Sequence, residues 1–159
     1  MGTTAITAPA GLPFIEMSRT FDAPVALVYR AHTDPELLVQ WLGPRKYAMR
    51  VDRYELRDGG TWRYIHADDN HEHAFHGVFH GTPSPETGIL QTFEYEGAPG
   101  HVSLDRLTLE STEAGTTIHV HSTFESVAAR DAMIENGMEA GVSEGYARLD
   151  ELMARGVGA

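Results

Sequence analysis

The spacing of apolar and polar residues divides the chain into regions of different secondary structure. Residues 14–21 alternate loosely between apolar and polar side chains, which predicts a first strand. Asp22 and Asp34, each followed within two residues by proline, are typical of helix starts, and we predict two short helices between residues 24 and 42. Turn-forming residues then separate six further runs that predict strands. These runs are residues 47–56, 61–66, 73–81, 89–95, 102–110 and 116–124.

The C-terminal part of the chain changes to the period of a helix. Ile134, Met138 and Val142 recur at four-residue spacing, and acidic residues lie mostly between them. This pattern predicts one amphipathic helix of roughly 28 residues from about residue 126 to the end, about 40 Å long at the usual rise per residue.

The order of these elements indicates the architecture. Short turns between successive strands require antiparallel pairing, because parallel neighbours need long crossover connections. A sheet of seven strands must bury one face, and the long helix is the element able to cover it. We therefore predict an α+β domain in which a curved, seven-stranded antiparallel sheet wraps a long C-terminal helix. Residues 1–13 are expected to form a flexible tail, and residues 14–159 a single domain.

Composition narrows the classes of partner. The net charge of −11 at pH 7 disfavours nucleic acid and anionic membrane surfaces, so we expect neither as a partner. The sequence has no apolar run near the roughly 18 residues that span a bilayer, and its start does not resemble a secretory signal. The chain has no cysteine, which excludes disulfides and thiolate chemistry and is compatible with the cytoplasmic location that we expect.

Three glycines mark one face of the predicted C-terminal helix. Gly137, Gly141 and Gly145 stand at four-residue spacing, and each costs about 0.8–1 kcal/mol relative to alanine in a helix interior. Two interpretations remain open. The glycines allow the helix to pack closely on the sheet, or they leave a void between helix and sheet that holds a ligand.

Aromatic residues fall on same-face positions of three successive predicted strands, opposite the helix. They either fill a core or line a ligand cavity, in which polar groups such as His66, Gln91 and the tyrosine hydroxyls would need partners. The predicted ligand-binding residues combine this face with Trp41, the inner face of the last strand and the helix. They are Trp41, Trp62, Tyr64, His66, Phe75, Phe79, Gln91, Phe93, Tyr95, Ile118, Val120, Met138, Gly141 and Val142.

The histidines and carboxylates do not predict a metal or catalytic site. The pair His119 and His121 has the spacing of metal ligands on one strand, but alternation assigns the inner face to Ile118 and Val120. Glu94 would serve as a general base only if a strand bulge turned it inward. The sequence contains no GxSxG, P-loop, GxGxxG or HExxH motif, so catalytic residues are unassigned, and we expect neither a metal nor a cofactor.

Several motifs in a fixed order carry a resemblance to a known family. They are residues 41–44 (WLGP), 57–64 (RDGGTWRY), 75–79 (FHGVF), 115–117 (GTT) and 136–141 (NGMEAG). Over residues 14–154 the chain resembles bacterial proteins similar to the C-terminal domain of the heat-shock protein 90 ATPase activator. That family lies within the START and birch-pollen-allergen-like superfamily, SRPBCC. The resemblance implies a helix-grip fold.

The function that we predict is the binding of a hydrophobic or aromatic small molecule between the sheet and the C-terminal helix. Two alternatives remain open. One is an enzyme resembling polyketide cyclases and dehydratases, with proton transfer by Tyr64, His66 or Tyr95. The other is an interaction module resembling the chaperone-ATPase activator. The oligomeric state is left open, a homodimer included.

Overall fold

The computed structural model describes residues 2–156, which form one antiparallel sheet and four helices. The strands are β1 Ala5–Thr7, β2 Phe14–Phe21, β3 Ala48–Tyr54, β4 Thr61–Ala67, β5 Glu72–Ser84, β6 Gly88–Tyr95, β7 Val102–Thr112 and β8 Gly115–Thr123. The helices are α1 Val25–Thr33, α2 Pro35–Leu38, α3 Val127–Glu135 and α4 Met138–Ala154. Met1 and residues 157–159, the end of the predicted domain and helix, lie outside the described residues.

The sheet is curved and open, with the strand order β1-β2-β8-β7-β6-β5-β4-β3. All pairs of neighbouring strands are antiparallel, as the short turns predicted. The helix-grip architecture is therefore confirmed. No helix within residues 2–156 is long and apolar enough to cross a membrane.

The number of strands was predicted wrongly. The sheet has eight strands, and the additional one, β1, lies in the segment predicted as a tail. It pairs Ala5 with Ser18 and Thr7 with Glu16 at one edge of the sheet. A strand of three residues is too short to produce an alternating pattern of its own, so only its partner β2 defines it.

The predicted C-terminal helix is also corrected, because it is two helices. Helix α3 ends at Glu135, and Gly137 then adopts a left-handed backbone conformation with φ of 82° before α4 begins at Met138. A left-handed residue ends a helix, and glycine adopts this conformation without steric cost. The element that covers the sheet is therefore α4, with 17 residues.

The short helices start where the sequence indicated, although only one has the predicted cap. The Asp34 carboxylate accepts a hydrogen bond from the backbone N–H of Glu36 at 3.0 Å and caps α2. Pro24, rather than Asp22, occupies the cap position of α1 and has no side-chain hydrogen bond there. Thr116 ties this end of α1 to the sheet, because its buried hydroxyl donates to the Ala23 carbonyl at 2.7 Å.

The apolar interior consists of two clusters of buried side chains. The larger cluster joins α1, α2 and α4 to strands β2 and β8, and includes Trp41, Ile118, Tyr146 and Leu149. The smaller cluster lies on β4, β5 and β6, with Trp62, Phe79 and Ile89 at its centre. Helix α4 therefore packs over one half of the concave face, and the aromatic strands cover the other half.

Two glycines of α4 have different surroundings. A Cβ atom added at Gly145 would lie 3.2 Å from the Gly43 nitrogen and 3.4 Å from the Trp41 carbonyl oxygen, so backbone packs directly on backbone. A Cβ atom at Gly141 would meet nothing within 4 Å. Close packing therefore explains Gly145, whereas no contact requires glycine at position 141.

We predict opposite effects for alanine at these two glycines. Gly141→Ala should raise the free energy of unfolding by about 1 kcal/mol through helix propensity. Gly145→Ala should lower it by about 1 kcal/mol, because displacing packed backbone outweighs the same gain in propensity. Urea denaturation of both variants measures the difference, and equal stabilisation by the two substitutions would contradict the close approach of α4 to the α2–β3 loop.

Candidate functional site

A cavity of about 200 Å³ lies between the sheet and the helices, and both apolar clusters contribute to its wall. It is not fully enclosed. Its lining residues come from α1 and α2 with the segment that follows, from strands β3, β4, β6, β7 and β8, and from α4. They are His32, Leu38, Trp41, Leu42, Tyr54, Trp62, Tyr64, Ile89, Gln91, Phe93, Asp105, Leu107, Val120 and Tyr146.

Two aromatic stacks form much of this wall. Trp41 stacks on Tyr146 of α4, with ring centroids 5.8 Å apart, and its indole N–H donates to the Ala31 carbonyl at 2.9 Å. Trp62 stacks on Tyr64 along β4, with centroids 4.9 Å apart. The Trp41 hydrogen bond fixes the ring orientation, because a buried indole N–H needs a partner.

The wall formed by α1 and β3 contains a neutral histidine. The Nδ1 atom of His32 lies 2.8 Å from the Val28 carbonyl and therefore carries the proton. Burial lowers the pKa of His32 to about 4, against a smaller upward effect of that hydrogen bond. Tyr54 donates its hydroxyl to the His32 carbonyl at 3.1 Å, which joins β3 to α1 across the end of the cavity.

Asp105 is the carboxylate of the cavity wall. It lies on the inner face of β7, where the Ser103 hydroxyl donates to its Oδ1 atom at 3.1 Å. Burial raises the pKa of Asp105 above its usual value, although hydrogen bonds from Ser122 and Ser103 oppose this effect. Within residues 2–156, Asp105 forms no ion pair. The fold therefore holds a carboxyl group in an apolar environment without a countercharge.

The buried cation of β2 is paired with another carboxylate. Arg19 on β2 forms an ion pair with Asp150 of α4 at 2.5 Å, and its guanidinium lies 5.9 Å from the Tyr146 ring centroid. The ion pair fastens α4 to β2 beside the cavity. It leaves Asp105 uncompensated.

The cavity brings together six of the predicted ligand-binding residues: Trp41, Trp62, Tyr64, Gln91, Phe93 and Val120. The other predicted residues lie outside its lining. They are His66, Phe75, Phe79, Tyr95, Ile118, Met138, Gly141 and Val142.

Two of these outlying residues have other partners. Gly43 packs against His66, because a Cβ atom added at Gly43 would lie only 2.5 Å from the imidazole Cε1 atom. Burial lowers the pKa of His66 to about 4. The Tyr95 hydroxyl lies 2.9 Å from Nδ1 of His73. Of the three groups named for proton transfer, only Tyr64 reaches the cavity.

Sequence reasoning missed eight of the lining residues: His32, Leu38, Leu42, Tyr54, Ile89, Asp105, Leu107 and Tyr146. A signal for Asp105 was present, because the period-two rule places it on the same strand face as Leu107 and Leu109. His32 and Tyr146 gave no comparable signal, since they reach the cavity only through the packing of α1 and α4.

The two histidines of β8, His119 and His121, lie on the outer face of the sheet and are paired with carboxylates. His119 contacts Glu110 at 3.1 Å, and His121 contacts Glu16 at 3.0 Å. His121 and His119 also border a surface depression of about 260 Å³ that includes Arg106, on the face away from the cavity. No group of three or more potential metal ligands is assembled among residues 2–156.

The sequence model of the family described as Activator of Hsp90 ATPase homolog 1-like protein matches residues 22–154. The chain belongs to this family. The resemblance inferred from the motifs is thereby confirmed. No curated protein matches the sequence significantly.

Solved structures share the fold of this member of the activator-homologue family. A crystal structure of a protein from Rhodobacter sphaeroides is 25% identical, with a TM-score of 0.87 over 96% of this chain and 99% of that chain. A solution structure from Arthrobacter aurescens is also 25% identical, with a TM-score of 0.85 over 95% and 91%. CalU16 from Micromonospora echinospora, at 22% identity, has a TM-score of 0.59 over 97% and 85%, and shows the shared fold alone.

The environment of Asp105 predicts a pH-dependent stability effect. The pKa of Asp105 is higher in the folded than in the unfolded chain, so its protonated form favours folding below its ordinary value of 3.8 and that contribution is lost as pH rises through the folded-state pKa. Asp105→Asn cannot ionise and still accepts from Ser103. It should raise the free energy of unfolding by about 1–2 kcal/mol at pH 7.

Urea denaturation of Asp105→Asn at pH 7 and pH 4 tests this effect, and the gain should shrink at the lower pH. Asp69→Asn is the matched control, because Asp69 is exposed in the turn between β4 and β5. An Asp105→Asn protein that is less stable than wild type at pH 7 would show that the carboxylate is stabilised in the fold.

Proposed function

We propose that this protein binds one small hydrophobic molecule, about the size of a single aromatic ring, in the cavity between the sheet and α4. The observation that supports the proposal is the presence of six aromatic side chains around a cavity of about 200 Å³. They are Trp41, Tyr54, Trp62, Tyr64, Phe93 and Tyr146.

The volume favours one ring over larger ligands. A cavity of about 150 Å³ in an engineered protein is known to bind benzene, whereas sites for drug-sized ligands usually occupy about 300–1,000 Å³. The cavity of this protein is close to the lower figure. Fatty acids, flavonoids and polycyclic aromatics would therefore extend out of the cavity or require its walls to move apart.

The chemistry of the wall favours the same class of ligand. Its aromatic and aliphatic side chains supply apolar contact, while Gln91, Tyr64 and Asp105 supply a few polar groups that can orient a bound molecule. This combination is typical of small-molecule sites. The enzymatic and chaperone-activator alternatives stay predictions, because each needs a substrate or partner that the cavity does not specify.

The test uses toluene and benzyl alcohol, two uncharged molecules of about one ring. We expect both to bind with dissociation constants of about 0.1–1 mM, as suits ligands of seven or eight heavy atoms. Binding should change the intrinsic fluorescence, since both tryptophans of the chain line the cavity. Calorimetry gives the stoichiometry, which should be one molecule per chain.

A pair of substitutions tests whether the bound molecule lies in the cavity. Val120→Phe puts a ring into the cavity and should abolish binding of benzyl alcohol. Val142→Phe is the matched control, because Val142 packs against the larger cluster without lining the cavity, and its affinity should stay within about threefold of wild type. Circular dichroism verifies that both variants fold. Equal binding by wild type and Val120→Phe, or no binding by wild type, would refute the proposal.

A further inference from the structure

The cavity contains an acidic group and no positively charged counterpart at pH 7, because the lining histidine, His32, has a pKa lowered to about 4 by burial. Among its described lining residues, Asp105 is the one carboxylate, and none is lysine or arginine. The chain as a whole carries a net charge of −11, so its field also favours cations over anions. A ligand with its own carboxylate would meet repulsion from Asp105 with nothing to offset it.

Asp105 has hydrogen bonds from serine side chains but no ion pair within residues 2–156. Its Oδ1 atom accepts a hydrogen bond from Ser103, and Ser122 also hydrogen-bonds to the carboxylate. The buried cation of β2, Arg19, is paired with Asp150. Although protein surrounds it, Asp105 keeps part of its surface accessible where it lines the cavity. A donor group in the cavity can therefore reach the carboxylate.

The aromatic wall is suited to a positive charge. Cations are attracted to the faces of aromatic rings, most strongly to tryptophan, and the attraction grows when water is excluded. Both tryptophans of the chain and four further rings line this cavity. An aromatic enclosure with one carboxylate has the chemistry that recognises organic ammonium groups.

From this arrangement we propose that the ligand class is a small hydrophobic amine, whose protonated nitrogen contacts the Asp105 carboxylate while its apolar part lies against Trp41 and Trp62. The inference rests on the proposed function and narrows it from any ring-sized molecule to a cationic one.

An ammonium group would offset a cost that the folded protein already carries. Placing Asp105 in an apolar environment disfavours its ionised form, and folding has already incurred this cost before any ligand binds. An arriving ammonium group loses its own hydration but removes the penalty on the carboxylate. An uncharged ligand of the same shape brings no such compensation.

The experiment compares three probes that share one ring and differ in one substituent: benzylamine, benzyl alcohol and benzoate. Calorimetry at pH 7 and about 150 mM salt limits the contribution of exposed surface charge. Benzylamine should bind at least about tenfold more tightly than benzyl alcohol, a difference in keeping with a desolvated cation–π contact and an ion pair. Benzoate should show no measurable binding.

Asp105→Asn tests the role of the carboxylate. The amide keeps the shape and can still accept from Ser103, so the ratio of benzylamine affinity to benzyl alcohol affinity in this variant isolates the effect of the charge. Benzylamine should lose its advantage and bind no more tightly than benzyl alcohol. Asp69→Asn, at an exposed turn, should keep the wild-type preference, and an equal loss in that variant would assign the preference to general surface charge and overturn the inference.

The outcomes separate this inference from the function on which it rests. If benzyl alcohol binds and wild-type protein shows no preference for benzylamine, the amine inference fails and the cavity remains a site for neutral rings. If benzylamine keeps its advantage in Asp105→Asn, the carboxylate is not the recognition group and the inference fails. If none of the three probes binds, the proposed function fails as well.

Discussion

The stack of Trp41 on Tyr146 is the contact on which the arrangement of the interior depends. Trp41 is held by its hydrogen bond to Ala31, so the segment after α2 fixes one ring and α4 supplies the other. Beside this stack, the backbone of Gly43 approaches α4 at Gly145. These contacts hold α4 against one half of the concave face. They leave the aromatic strands β4 and β6 facing a gap, and that gap is the cavity.

A gap of this kind is stable only because its walls are supported from behind. The Arg19–Asp150 ion pair fastens α4 to β2, and the Tyr54 hydrogen bond to His32 fastens β3 to α1. The first link holds the helix and the second holds the edge of the sheet, so both fix elements that supply cavity walls. Empty volume costs stability in proportion to the contacts that its lining forgoes. A bound ring would restore those contacts, so ligand binding and fold stability are expected to rise together.

The sequence predicted most of the fold but less of the site. The fold follows from local patterns within each strand and helix, whereas the site depends on tertiary packing. Alternation and turn residues lie within each strand, and seven strands were therefore located before the structure was known. The break at Gly137 was missed because the spacing of Ile134, Met138 and Val142 continues across it, although Asn136-Gly137 is a helix-ending signal. The cavity collects side chains from eight strands and helices and from the segment after α2. Its position depends on how α4 packs, which no single segment encodes.

Asp105 differs from the other residues of the cavity wall because the stability of the fold does not explain it. Apolar residues at positions such as Leu107 and Val120 are needed by any sheet that buries this face, and they say little about function. The carboxylate of Asp105 is different, because it has no countercharge within the described residues and its burial disfavours the ionised form. Local rules of sequence are broken most often where a protein acts, since selection tolerates a loss of stability there. Under the proposed binding of a cationic ligand, the physical reason for this residue lies in the ligand, because an ammonium group would remove the cost of burying the carboxylate.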